Sequence, residues 1–333
     1  MCSDVIIRCL PSLFQIYVRQ GRSWRNYKVG YLDLTGSIVI PAQFDDGLPF
    51  SDGLAAVSIR GKWGYINESG EWAIAPAFKD GSYFRDGRAQ ASLRKRGYID
   101  TRGQWVAEPR YDLASEFSEG LAWVGRSDRF GFVDVHGYEA IPLEYQSVRS
   151  FSCGVAAVQV GKKWGYINRD NEFVLTPRFD GCVAGPFREG LARVAVGEQW
   201  GFITRTGEFA VEPRFEMAYD FYDERAAVTV DGKSGYIDNT GKIVIAPVYS
   251  HAHWFSEGLA AVSTGYGGTL CDTGFLDRDG GFAIQPRFGE TGTFRSGLCL
   301  VTTEHEVGYI DRTGEFVWCG PYVEIGLGSD LRL

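Results

Sequence analysis

The chain has 333 residues, 44% of them hydrophobic and 14% aromatic, with a formal net charge of −8 and a pI near 5.2. That is ample apolar material for a core, and the acidic balance excludes generic nucleic-acid binding, which needs a basic footprint. Seven cysteines (Cys2, Cys9, Cys153, Cys182, Cys271, Cys299, Cys319) follow no repeat and form no C-x-x-C, so a disulfide framework is not expected and a reducing cytosol is the expected compartment.

Residues 1–12 read as an N-terminal segment. Their apolar run is broken by Arg8 and Pro11 and lacks the basic start of a signal peptide. Nowhere does the chain approach the roughly 18–20 apolar residues that a membrane span needs. From residue 13 to 321 one pattern repeats, and 322–333 read as a tail. Its core is Gly, aromatic, aliphatic, Asp or Asn, with the glycine at 30, 64, 97, 131, 165, 201, 235, 274 and 308. A period near 34 residues means a repeat array. The fold class expected is therefore all-β, with nine tandem three-stranded antiparallel repeats. A propeller-like ring is favoured slightly over an open β-superhelix, although nine units exceed the usual 4–8 blades.

The clearest unit, residues 53–78, reads as strand A (54–59), strand B (62–67) and strand C (71–76), rich in strand-forming Val, Ile, Tyr and Trp. Gly61-Lys62 is expected at the A–B hairpin. A second glycine (36, 70, 103, 137, 207, 241, 280, 314) lies six residues after the first and becomes Asn171 once. Asn is the common substitute where φ is positive, so a left-handed turn is expected there, with Asn171 and Gly interchangeable. The Asp, Asn or Thr just before this turn is expected to bond the turn backbone. A proline (41, 76, 109, 142, 177, 213, 247, 286, 321) is expected to end strand C or to mark it as an edge strand. Arg110, Arg178, Arg214 and Arg287, each following a proline, read as edge decoration rather than a basic ring. Both faces of each strand carry apolar residues, so each sheet is expected to be covered on both sides. A Phe-x-x-Gly turn opens each next unit, and its Phe (50, 84, 117, 151, 187, 221, 255, 294) is expected between repeats.

At GKWGYI (61–66), KKWGYI (162–167) and EQWGFI (198–203) the chain resembles the WG-repeat proteins, and the likeness runs over about 13–321. The Trp is replaced in six units (Val29, Arg96, Phe130, Ser234, Thr273, Val307), which marks a tolerant packing position. The resemblance implies an all-β module, found mostly in bacteria and often used for interaction, and it carries over no active-site residue. The unit is also similar, more weakly, to the blade repeats of TolB-type propellers.

Breaks in a repeat are where binding is expected. The largest is an insertion at 263–273, and a smaller one falls at 181–186. Candidate binding residues are Tyr266 and Asp272 in the larger insertion and His251 and His253 just before it. The two imidazoles lie on one side of an extended segment, but no third ligand completes a metal set, so no metal and no cofactor is expected. No GxSxG, Walker loop, HExxH or dinucleotide fingerprint occurs. The expected function is non-enzymatic: a scaffold for a protein partner, with a basic partner and an immunity- or antitoxin-like role as its specific form. The alternative is a glycan-binding or glycan-cleaving propeller, motivated by aromatics and abundant carboxylates.

Overall fold

The structure, a computed structural model, describes residues 13–19, 27–179, 185–265 and 272–321. The chain divides after Phe179 into two compact units. Among the described residues there are 32 strands and no helix. The strands form nine small antiparallel sheets of the propeller-blade type, five in the first unit and four in the second. The all-β, nine-repeat fold is therefore as expected.

In the second repeat, strand A is Ala55–Ile59, strand B Lys62–Ile66 and strand C Trp72–Phe78. Three corrections to the sequence reading follow. The A–B hairpin turn is Arg60-Gly61, one residue earlier than expected, because Ile59 pairs with Lys62 and both turn residues have positive φ (51° and 71°). A fourth strand of two residues, Asp46–Gly47, pairs with strand A, and five repeats have this lead-in. Of the two outcomes expected from the proline, strand C takes the edge and does not stop at Pro76. Trp63 pairs with Phe78 and Tyr65 with Ile74, so strand C advances four residues while strand B advances two, and Pro76 rides in the resulting bulge.

That bulge explains the repeat glycine. A Cβ on Gly64 would sit 2.6 Å from the Ile74 carbonyl oxygen and 2.8 Å from the Pro76 nitrogen. Gly64 has ordinary φ; the requirement is close approach by its own strand C. Strand C is the sheet edge, and it is not covered on both faces. Ile74 and Phe78 are buried, whereas Trp72, Ala73, Ala75 and Ala77 are exposed. Strands A and B carry the covered surface, from Ala55 to Ser58 and Gly64 to Ile66.

The Phe of each Phe-x-x-Gly turn is buried between repeats, as expected. Within each unit it meets the strand B aromatic of the preceding repeat edge-to-face. Tyr31–Phe50, Tyr65–Phe84, Tyr98–Phe117 and Phe132–Phe151 have centroids 4.8–4.9 Å apart in the first unit. Phe202–Phe221, Tyr236–Phe255 and Phe275–Phe294 lie 4.8–5.1 Å apart in the second. Such pairs contribute about 0.5–1.5 kcal/mol each beyond burial. Three tyrosines also donate to the next repeat's lead-in: Tyr31 to Leu48 O, Tyr98 to Ser115 O and Tyr236 to His253 O, at 2.6–2.8 Å.

The B–C turns are left-handed as expected, with φ of 78–89° at all eight glycines and 64° at Asn171. The preceding Asp or Asn accepts from two turn amides; Asn67 Oδ1, for instance, accepts from Ser69 N–H and Glu71 N–H. Asn171 is more than a glycine substitute. Its Oδ1 accepts from the Tyr145 hydroxyl at 2.6 Å and its Nδ2 donates to Glu144 at 2.9 Å. Hydrogen bonding by Thr35, Thr240 and Thr313 is the main influence holding the carboxyls of Asp33, Asp238 and Asp311 below the usual aspartate range.

Three tests follow from this architecture. Gly64→Ala should destabilise by about 3 kcal/mol or more, because its Cβ meets backbone. Gly53→Ala, where φ is positive but a Cβ meets nothing, should lose about 1–2 kcal/mol; equal denaturation midpoints for the two would contradict the bulge argument. Asn171→Gly should lose about 1 kcal/mol through its two hydrogen bonds, and an unchanged midpoint would restore the simple turn reading. For Asp33, Asp238 and Asp311, a lowered folded pKa means stability present above the unfolded value of about 3.9 and lost as pH falls through the folded values. The triple Asp→Asn variant should be less stable than the wild type at pH 7 and lose less stability on acidification below pH 4, read from urea unfolding; parallel pH profiles would refute it.

Candidate functional site

The residues singled out in the sequence come together only in part. His251–Ala252 is a lead-in strand, not a loop. His251 is exposed and pairs with Ser263, which pairs in turn with Thr273. Asp272 adjoins Thr273, so His251 and Asp272 lie at the same end of one sheet, two strands apart. The Asp272 carboxylate accepts the Gly265 N–H at 2.9 Å and its carbonyl accepts the Thr264 N–H at 3.1 Å, which closes the neck of the insertion. Thr273 is buried and belongs to strand B rather than to the loop. Tyr266 lies outside the described residues, as do 266–271 and most of 181–186. His253 is half-buried; burial, and secondarily His251, push its pKa down. Among the described residues no group of three or more His, Cys, Asp or Glu side chains could hold a metal ion.

Much of the charge that looked available is committed between repeats. The last two residues of the Phe-x-x-Gly turns have positive φ: an acid in six of the eight turns, with Cys153 and Ser296 in the others, and then glycine in all but one, where Glu224 stands. In the first unit the carboxylates of Asp52, Asp86 and Glu119 accept the N–H of Gly87, Gly120 and Gly154 at 2.8–3.1 Å. In the second, Glu189, Asp223 and Glu257 accept the N–H of Glu224, Gly258 and Gly297 at 2.8–2.9 Å. The arginines after proline lie over the next aromatic, with Arg110, Arg178, Arg214 and Arg287 at 5.0–5.1 Å from the ring centroids. Arg214 and Arg287 also donate to the Gly241 and Gly314 carbonyls of the following turns. Arg110, through Glu139, and Arg214 and Arg287, through these carbonyls, thus tie their repeat to the next.

A cluster in the second unit departs from this pattern. Arg193 Nε lies 2.9 Å from Asp220 Oδ1 as an ion pair off the hydrogen-bonding direction, and the Asp220 side chain is only 14% exposed. Arg193 is held in place by the Trp200 ring, 5.5 Å below its guanidinium, and by donating to Ala218 O at 2.9 Å. The Arg188 guanidinium stacks 5.5 Å from the Tyr222 centroid, and Tyr222 lies 5.8 Å from the Trp254 ring. Burial raises the Asp220 pKa, while the charges of Arg193 and Arg188 pull against that rise. One guanidinium thus pairs with the enclosed carboxylate and the charge of a second acts on it, beside the Trp200, Tyr222 and Trp254 rings. Looking only for insertions misses this cluster. The signal is a charge: this strand A position holds Ala56, Ala157, Ala227 and Ala261 in four repeats, Gln15, Gln90, Trp123 and Leu300 in four others, and a charged residue only at Arg193.

A second feature recurs in both units. The first residue of strand C is large and apolar in eight repeats, Glu139 being the exception. Ile38, Trp72, Phe173, Phe209, Ile243 and Phe316 are 37–55% exposed at this position. Four of these first residues rest edge-on against the aromatic that ends the preceding strand C: Phe44–Trp72, Phe78–Trp105, Tyr249–Phe282 and Phe288–Phe316, at 5.7–6.3 Å.

No curated protein matches the sequence. Among solved structures, "Crystal structure of the eukaryotic initiation factor" is similar over 93% of this chain and 96% of that one, at 14% identity and a TM-score of 0.64. That likeness is one of fold. Apo AztD from Citrobacter koseri (14% identity, 83% of this chain and 96% of that one, TM-score 0.44) is more distant. So is the dihydro-heme d1 dehydrogenase NirN in complex with DHE (12% identity, 93% and 73%, TM-score 0.48). The family model described as "WG containing repeat" matches eight times, at residues 30–63, 63–95, 97–126, 130–164, 164–199, 200–233, 235–266 and 274–304. With most of its length covered by that unit, the chain belongs to the WG containing repeat family.

Proposed function

We propose that this chain is a non-enzymatic protein-binding module whose contact surface is the leading end of strand C. The observation that supports this reading is the recurrence of large, half-exposed apolar side chains at one register position. Scattered exposed hydrophobics need no explanation, but a periodic set does. Pro and the bulge deny strand C a long regular edge, so the surface offers side chains rather than a template for strand addition. The net charge of −8 favours a basic partner through long-range attraction, and an immunity- or antitoxin-like clamp is the specific form this takes. A cytoplasmic location is part of the same proposal.

The test combines Ile38→Ser, Phe173→Ser and Phe209→Ser in one chain. Affinity capture with quantitative mass spectrometry should find a basic protein held by the wild type and lost by the triple variant, whose melting temperature should fall only slightly. A partner retained by the folded variant would place the contact elsewhere. Saturable binding of one sugar class on a glycan array, lost in the same variant, would replace this reading with carbohydrate recognition.

A further inference from the structure

We propose that the Arg188–Arg193–Asp220 cluster is a binding site for an oxyanion, a carboxylate or a phosphate group, carried on a ligand with an apolar or flat neighbouring part. The first argument is charge. Two guanidiniums share one carboxylate, which leaves a net positive charge in a half-enclosed place on an otherwise acidic chain.

The second argument is an unmade bond. Arg188 Nε is buried and meets no acceptor. A guanidinium stacked on a ring keeps its N–H donors in its own plane, so the Tyr222 contact does not satisfy them. Buried donors are seldom left unpaired, and one that is calls for an explanation. A planar oxyanion is the acceptor that an arginine fork fits best.

The third argument is internal comparison. In the first unit the same two repeat positions hold Arg85 and Glu116. They form a simple pair, Nε to Oε2 at 2.9 Å, with one charge answering the other. In the second unit Arg193 has taken the equivalent carboxylate. Arg193 cannot release it easily, being fixed by Trp200 and the Ala218 carbonyl. Arg188 is therefore left over by construction, and Asp220 acts as a resident competitor for any incoming anion. Tyr222 and Trp254 supply the apolar flank that selects what the anion is attached to.

The test uses the full chain and two probes, inorganic phosphate and acetate, titrated at constant ionic strength against chloride and followed by thermal shift and calorimetry. A saturable rise in melting temperature is expected. Arg188→Gln should raise the midpoint concentration at least about tenfold, and Asp220→Asn should lower it about tenfold by removing the competitor. Arg85→Gln should leave it unchanged. A lower midpoint for acetate marks a carboxylate ligand and a lower one for phosphate a phosphorylated ligand; either supports the site. The proposal is overturned if neither probe exceeds chloride, or if Arg188→Gln titrates like the wild type. Should Arg188→Gln not fold, Asp220→Asn decides alone: tighter binding supports the site, and unchanged or weaker binding overturns it.

Discussion

The structure depends on one close approach: the backbone of strand C folded down onto the repeat glycine. Gly64 has room for no Cβ because the Ile74 carbonyl and the Pro76 nitrogen already occupy that space. The approach creates the bulge, and the bulge accommodates a proline that a regular ladder could not pair. It also turns the end of strand C so that Phe78 comes back opposite Trp63 and enters the core. The glycine therefore cannot vary among the nine repeats while its neighbour, the Trp of the family pattern, is replaced in six.

A single three-stranded sheet cannot bury its own faces, so the contacts between successive repeats carry the stability. Within each unit these contacts run in parallel series. Strand B aromatics meet the next Phe edge-on and turn carboxylates cap the next turn's amide, and in the second unit Arg214 and Arg287 also reach the next turn glycine. The series shows why acidic and basic residues at fixed spacing are poor guides to chemistry here. Asp52 or Glu257 would look like available carboxylates on any surface map, yet each completes the hydrogen bonding of a neighbouring turn. In such a protein, functional residues are those that leave the series, as Arg193 does by placing a charge at an uncharged repeat position and pairing with Asp220.

The candidate site was only partly legible in the sequence for the same reason. An insertion is visible as a change in spacing, so the neck held by Asp272 stood out, as did His251 beside it. The cluster around Asp220 needs three positions from two repeats, and none is unusual alone. Its members are brought within reach only when the strand A of one repeat packs beside the lead-in of the next.

By itself the sequence determined the repeat, its all-β character, the left-handed B–C turns and the burial of the inter-repeat phenylalanines. Each of these follows from short-range chemistry: periodic strand formers, a glycine or Asn171 where φ is positive, an Asp or Asn side chain within reach of its own turn. Only the tertiary structure decided that strand C passes through its proline, that its outer face stays half exposed, and which charges are committed. Those outcomes depend on where one backbone lies against another and on what remains unpaired after neighbouring repeats have packed, and that geometry is not local to any stretch of sequence.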